Sequence, residues 1–478
     1  MMNTKSRFRI TVTLTAIATA LGLAFVLSAC SSGEPEPAGV AELAESADTS
    51  IRPVPFPPGF NVPTDQSTVE GWVSSDPQNT EAMFRHAWDI WNGLMQPTDE
   101  ADPNGNRNLA VFETWLSAPE IFDPGVGSAA DVTTRRLRPF QSPRQASHAN
   151  LAPEAISTDP EQVIAFVKYD PFAAEFTFLN QYNKASTLIA LQASWTPQTP
   201  IIDREIKQFT NHASMALKPT YYLVKQTGLT SLPVWPGPPS PSMAFGPTAW
   251  DTCVLVDPTN QQGGSTVQGD CNGITKDLSV FNVNDFHHQQ LTEEEASNVS
   301  ELKGADNLKG AQAGDYAVLV AMHVTSKELP RWTWQTFWWS PTPDDPKHPS
   351  SSEAAGQRPP SLPPPASHYA TCTAYSMVIP AQPITKGTNL CVNATDLGCL
   401  FCYNPYLEAG FGNFSTSENP KFGVNTNCMA CHGNANWGPL VRQPKPGYVG
   451  DQYDDPGGQI FGEVTKVDFL WSIPDNAK

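Results

Sequence analysis

Apolar residues recur along this chain at two periods, and each period marks a different kind of element. After Ser75-Asp76-Pro77, the residues Phe84, Trp88, Trp91 and Met95 fall at helical spacing, and a proline suits the first turn, where its missing N–H would have no partner anyway. The spacing predicts one amphipathic helix whose aromatic stripe packs into a core. Elsewhere the period is two. Segments 215–225, 252–257, 315–325 and 331–339 are short, β-branched or aromatic, and bounded by Pro, Gly or charged turns, which is the pattern of strands. In the last two, Val318, Val320, Met322 and Val324 alternate with Ala317, Leu319, Ala321 and His323, while Trp332, Trp334 and Trp338 stand opposite Phe337 and Trp339. Both faces are largely apolar, so the pair is expected as a hairpin, joined by 326–330 and buried inside a sheet. Val467, Phe469 and Trp471 alternate as well, which predicts a return to a sheet near the end of the chain. The class expected is α+β, a β-rich body followed by a short helical, loop-rich C-terminal segment.

A different apolar run opens the chain. Lys5, Arg7 and Arg9 precede residues 10–27, which end in Leu27-Ser28-Ala29-Cys30, the charged, apolar and small-residue regions of an export signal. The other reading is an uncleaved membrane helix, because the run is near spanning length although threonines dilute it. Proline marks the internal boundaries. The expected order is a signal at 1–29, a proline-rich tether at 30–66, a β-rich domain with an N-terminal helix at 67–339, a proline-rich loop or linker at 340–367, and a cysteine-rich segment at 368–478. Segment 232–247 is expected to cover a surface, and no internal repeat is present.

Composition excludes some partners. The chain carries 29 basic against 48 acidic residues, a formal charge of −19. Loss of Lys5, Arg7 and Arg9 with the signal would bring it to about −22. Such a field repels nucleic acid and suits either solubility or the steering of a basic partner protein. With 13 Trp and 23 Phe in a chain that is 40% hydrophobic, a large core is available and general disorder is excluded.

The candidate chemistry is concentrated in Cys428-Met429-Ala430-Cys431-His432, since C-x-x-C-H is the attachment pattern of c-type haem. A short helix over 427–434 would place both sulfurs and the imidazole on one face. The pentapeptide resembles mono-haem c-type cytochromes, and the opening resembles bacterial lipoprotein signals. Segments 404–408 and 466–475 resemble large exported haem proteins without an assigned activity. The first resemblance implies haem c joined by thioethers to Cys428 and Cys431, with His432 as the proximal iron ligand. The second implies cleavage before Cys30 and lipidation of that residue, which anchors the protein to a membrane. Ser31 and Ser32 stand where lipoproteins kept in the inner membrane carry Asp, which implies an outer-membrane anchor facing the periplasm.

Six cysteines remain, Cys253, Cys271, Cys372, Cys391, Cys399 and Cys402, an even set suited to three disulfides in an oxidising compartment. Only Cys253 with Cys271 is favoured, because these two stand alone in the central region. A rival reading groups Cys399 and Cys402 with Cys428 and Cys431 as a zinc ribbon, against which His432 stands where haem needs it. Cys399 with Cys402 also has the spacing of a thioredoxin-like dithiol, though without a βαβ setting. It is not a second haem site, since Tyr403 takes the histidine position.

The sixth iron ligand is open. The 46 residues after His432 hold neither methionine nor histidine, a departure from the small c-type cytochromes. Met377 is the first upstream candidate, Met322 and His323 follow, and Lys445, Lys466, a tyrosine or an open position are the others. His287-His288 are adjacent and point apart. Two function classes follow: an electron carrier with a redox partner protein, or a haem enzyme or sensor with an open distal site and a small-molecule substrate that no motif names. Glu408, Tyr406, Asp451 and Asp454 flank the motif along the chain, and none has an evident role as a catalytic base.

Overall fold

The computed structural model describes residues 51–75, 78–102, 105–122, 140, 163–209, 214–239, 245–302, 308, 310–375, 402–410, 428–438 and 456–478. All fall within one compact unit, Asp48–Lys478. It has both helices and sheets, with a sheet-rich body. The signal, Cys30, Met377, Cys391, Cys399, Lys445, Asp451 and Asp454 lie outside the described residues.

The body is an eight-stranded sheet made of β1 (Leu116–Ser117), β2 (Ile164–Ala165), β3 (Lys168–Tyr169), β4 (Met215–Val224), β5 (His288–Gln290), β6 (Tyr316–Ser326), β7 (Thr333–Trp339) and β8 (Tyr369–Ala374). Its path runs β8-β7-β6-β4-β3-β1, with β5 on β6 and β2 on β4, and every pairing is antiparallel. The predicted hairpin is β6–β7, and both of its strands are interior. This placement explains why neither face is polar: helices and loops cover both sides. A second sheet of four strands holds Cys253–Asp257 and Thr266–Cys271, and the expected Cys253–Cys271 disulfide is formed across it.

Helices α1 (Gln66–Ser74) and α2 (Thr80–Leu94) precede the sheet. The Asn79 side chain caps α2 by accepting from the Ala82 N–H, which satisfies one of the helix's orphan donors. Trp88 and Trp91 are fully buried, and Trp91 stacks on Phe337 at 4.4 Å and lies 4.7 Å from Tyr369. The indole N–H groups donate to the Ala354 and Ala366 carbonyls at 2.8 and 3.0 Å. Those acceptors lie in the proline-rich stretch 340–367, which leaves β7, passes over α2 and returns as β8 beside β7. The stretch is therefore a long loop strapped over one unit, the first of the two forms expected of it, since the strands at its two ends pair in a single sheet.

Two expectations change. Of the tether expected at 30–66, residues 51–66 lie on the body, and the rest falls outside the described residues. Ile51 is buried, the Val54 N–H donates to Thr114 Oγ1 at 2.9 Å, and the Thr64 N–H donates to buried Glu328 at 2.6 Å. The proline-rich composition here gives extended chain with backbone groups free to bind side chains. The strand expected over 467–471 does not form. Only Thr465–Lys466 is extended, paired with Asn436–Trp437, because Asp468 and Phe469 take left-handed conformations with φ of 48° and 69°. The chain then turns into α4 (Ser472–Asn476).

Candidate haem-attachment site

Cys428–His432 forms the short helix α3, as the spacing predicts. It brings both cysteines and the histidine within little more than one turn. Cys428 is buried and Cys431 is half-buried. Burial pushes the Cys428 thiol well above its ordinary range, and Glu408 and Cys431 push it the same way. A neutral sulfur therefore suits this position, and a thioether carries no charge to desolvate.

His432 Nδ1 lies 2.7 Å from the Phe469 carbonyl oxygen. A carbonyl can only accept, so Nδ1 carries the proton and Nε2 presents a lone pair. Burial lowers the imidazole to about 4; the Phe469 bond and Glu408 work against that shift, while His323 and Lys218 add to it. At neutral pH the ring is uncharged, the form that binds a metal. Trp334 packs against it, with centroids 4.2 Å apart.

The surface beneath α3 is one face of the main sheet. Lys218, His323, Thr336 and Cys372 are directly opposite one another on β4, β6, β7 and β8, so their side chains share a face, and Trp334 joins them two residues along β7. Segment 402–410 lies over that row. Cys402 is disulfide-bonded to Cys372, and Asn404 Nδ2 donates to Thr336 Oγ1 at 2.8 Å. Glu408 Oε1 is 2.9 Å from His323 Nε2. Burial opposes the ionisation of Glu408, but His323 and the Asn404 N–H outweigh it and hold the carboxyl below its usual value. Burial lowers Lys218 to about 8. A carboxylate, an imidazole and an amine thus gather close enough to His432 to act on it electrostatically.

The other sequence candidates are distributed elsewhere. Met322 pairs with Phe337 and so belongs to the face covered by α2. Lys466 Nζ donates to the Ile201 and Arg204 carbonyls at 2.7 and 3.2 Å, and the Tyr406 hydroxyl donates to the Pro233 carbonyl at 2.9 Å. His287 approaches Glu113 at 3.1 Å while His288 bonds the Phe286 carbonyl, so the adjacent pair does not converge. Cys402 is engaged with Cys372, which removes it from a zinc-ribbon set or a Cys399 dithiol. Among the described residues no group of three His, Cys, Asp or Glu side chains is poised around a metal ion.

Lys218, Trp334 and the Phe469 carbonyl were not foreseen as parts of the site. Alternation across the predicted hairpin would have put His323 and Trp334 on one face. Lys218 arrives by pairing of strands about a hundred residues apart, for which no local signal exists. Comparison with protein-family models, with curated proteins and with solved structures finds no match to this chain.

Proposed function

We propose that the chain is a lipid-anchored mono-haem c-type cytochrome that carries electrons in the bacterial cell envelope. The observation that carries this reading is the state of His432: its Nδ1–H is committed to a backbone carbonyl, which makes Nε2 the unprotonated nitrogen of the neutral ring, and two cysteines precede it on the same helix. This donor set fits a covalently held haem, because a ligating imidazole characteristically gives its other N–H to a carbonyl or carboxylate. Bound haem supplies a one-electron iron couple. Cys428 and Cys431 would fix its position, His432 would supply an iron ligand through Nε2, and Trp334, packed on the imidazole, would help to keep water from the ligand side. The net negative charge of the chain suits a basic redox partner, and Cys30 suits a lipid anchor at the outer membrane, facing the periplasm.

A haem enzyme or sensor is the second reading. It draws on the Glu408–His323 pair with Lys218, groups able to hold and pass protons near the site, and on the lack of a downstream ligand. Carbon monoxide separates the two. The reduced protein, produced with haem-maturation machinery, is expected to keep its spectrum under carbon monoxide if iron carries two strong axial ligands. Rapid binding with a shifted Soret band would favour catalysis or sensing.

A further inference from the structure

We propose that Asp468, clamped by Lys327, is the positioning residue for His432: this buried ion pair fixes the Phe469 carbonyl and so the orientation of the axial imidazole. The proposal rests on the haem reading above and deepens it.

Two consecutive non-glycine residues, Asp468 and Phe469, are left-handed, a conformation that a bulky residue rarely adopts and that persists only where the surroundings over-determine it. The surroundings here do so. The Lys327 and Asp468 side chains are 0% and 2% exposed and meet at 2.7 Å. Asp468 also accepts from the Phe209 N–H at 2.8 Å and from Trp332 Nε1 at 3.3 Å, while Lys327 donates to the Pro330 carbonyl at 2.8 Å. The Leu470 N–H closes the turn on the Val467 carbonyl at 3.1 Å. Trp471 Nε1 donates to the Cys431 carbonyl at 3.3 Å, which ties the same turn to α3. Lys327 and Trp332 lie on the connection of the β6–β7 hairpin, so the sheet itself aims the Phe469 oxygen at His432 Nδ1. Burying two charges is costly; what this pair holds in place is a fixed acceptor for Nδ1–H, and the strength of that hydrogen bond tunes the basicity of Nε2.

The test uses the haem-loaded protein and variants of opposite charge. Asp468→Asn removes a negative charge and Lys327→Met a positive one. Electrostatics alone would move the reduction potential in opposite directions. Loss of positioning weakens the Nδ1–H···O bond in both, makes the imidazole a poorer donor and favours reduced iron in both. We expect the reduced-to-oxidised ratio at one fixed ambient potential to rise roughly three- to tenfold in each, tenfold being about 59 mV for one electron. Phe469→Gly changes no charge, keeps the carbonyl and frees the turn; it should raise the ratio less and shift the haem-methyl proton resonances that report the imidazole plane. Lys327→Arg should stay near the parent value. If Asp468→Asn does not accumulate, Phe469→Gly and Lys327→Met carry the test. Opposite signs for the two charge variants, or parent values throughout, would overturn the proposal. A parent protein without thioether haem would sink the haem reading instead. In that case the nitrogen-15 spectrum of His432 still reports on Asp468, because a protected Nδ1–H should be lost in Asp468→Asn.

Discussion

The imidazole of His86 bridges two buried groups, Tyr375 Oη at 2.5 Å and Glu328 Oε1 at 2.9 Å. Glu328 in turn accepts from the Thr64 N–H and, through Oε2, from the Thr333 hydroxyl. Burial opposes ionisation of this carboxyl, but His86 and the hydrogen bonds outweigh it and hold the group below its ordinary value of 4.5. A carboxyl lowered in the folded state contributes stability above its unfolded value, and that contribution is lost as pH falls through the folded one. Glu328→Gln is expected to cost on the order of 1–3 kcal/mol at pH 7, and the gap from the parent should narrow below pH 4.5. Urea unfolding at several pH values checks this, and a gap that stays constant into acid would contradict it. The same residue-level logic applies at His432, where one carbonyl decides which nitrogen is available.

Helix α2 and helix α3 cover opposite faces of β6 and β7, and they should fail differently. Trp91 is fully buried on Phe337 and Tyr369, so Trp91→Ala should cost about 3–5 kcal/mol yet leave covalent haem in place, as thermal unfolding and the visible spectrum would show. Loss of the haem band in a folded Trp91→Ala protein would mean that the two faces are coupled. Elements with a local cause were legible in the sequence: the period of Phe84, Trp88 and Trp91 marks α2, and two-sided apolar alternation marks the hairpin. The turn at Asp468 was not. Val467, Phe469 and Trp471 alternate as a strand would, and the left-handed break is imposed by Lys327, Trp332 and Phe209, more than a hundred residues away in the chain.

At the level of the whole molecule, the C-terminal segment completes the core. Cys428, Met429, Ala435, Val467, Leu470 and Ile473 belong to the same buried cluster as Trp91, Trp334 and Phe337. Proline content at 340–367 left a loop and a linker equally open, and only the pairing of the strands at its two ends makes it a loop. The cysteine inventory was legible only in part: Cys253 and Cys271 stand apart from the rest, but the Cys372–Cys402 link needs the fold. It places segment 402–410 over the sheet and brings Glu408 to His323.

The most direct measurement is the fate of haem when the mature chain, made with haem-maturation machinery, is unfolded and extracted with acidified acetone. One haem per chain should stay with the polypeptide and give a thioether pyridine haemochrome, and the Cys428→Ala, Cys431→Ala double variant should be colourless. A colourless parent protein, or haem that leaves with the solvent, would contradict covalent attachment at α3.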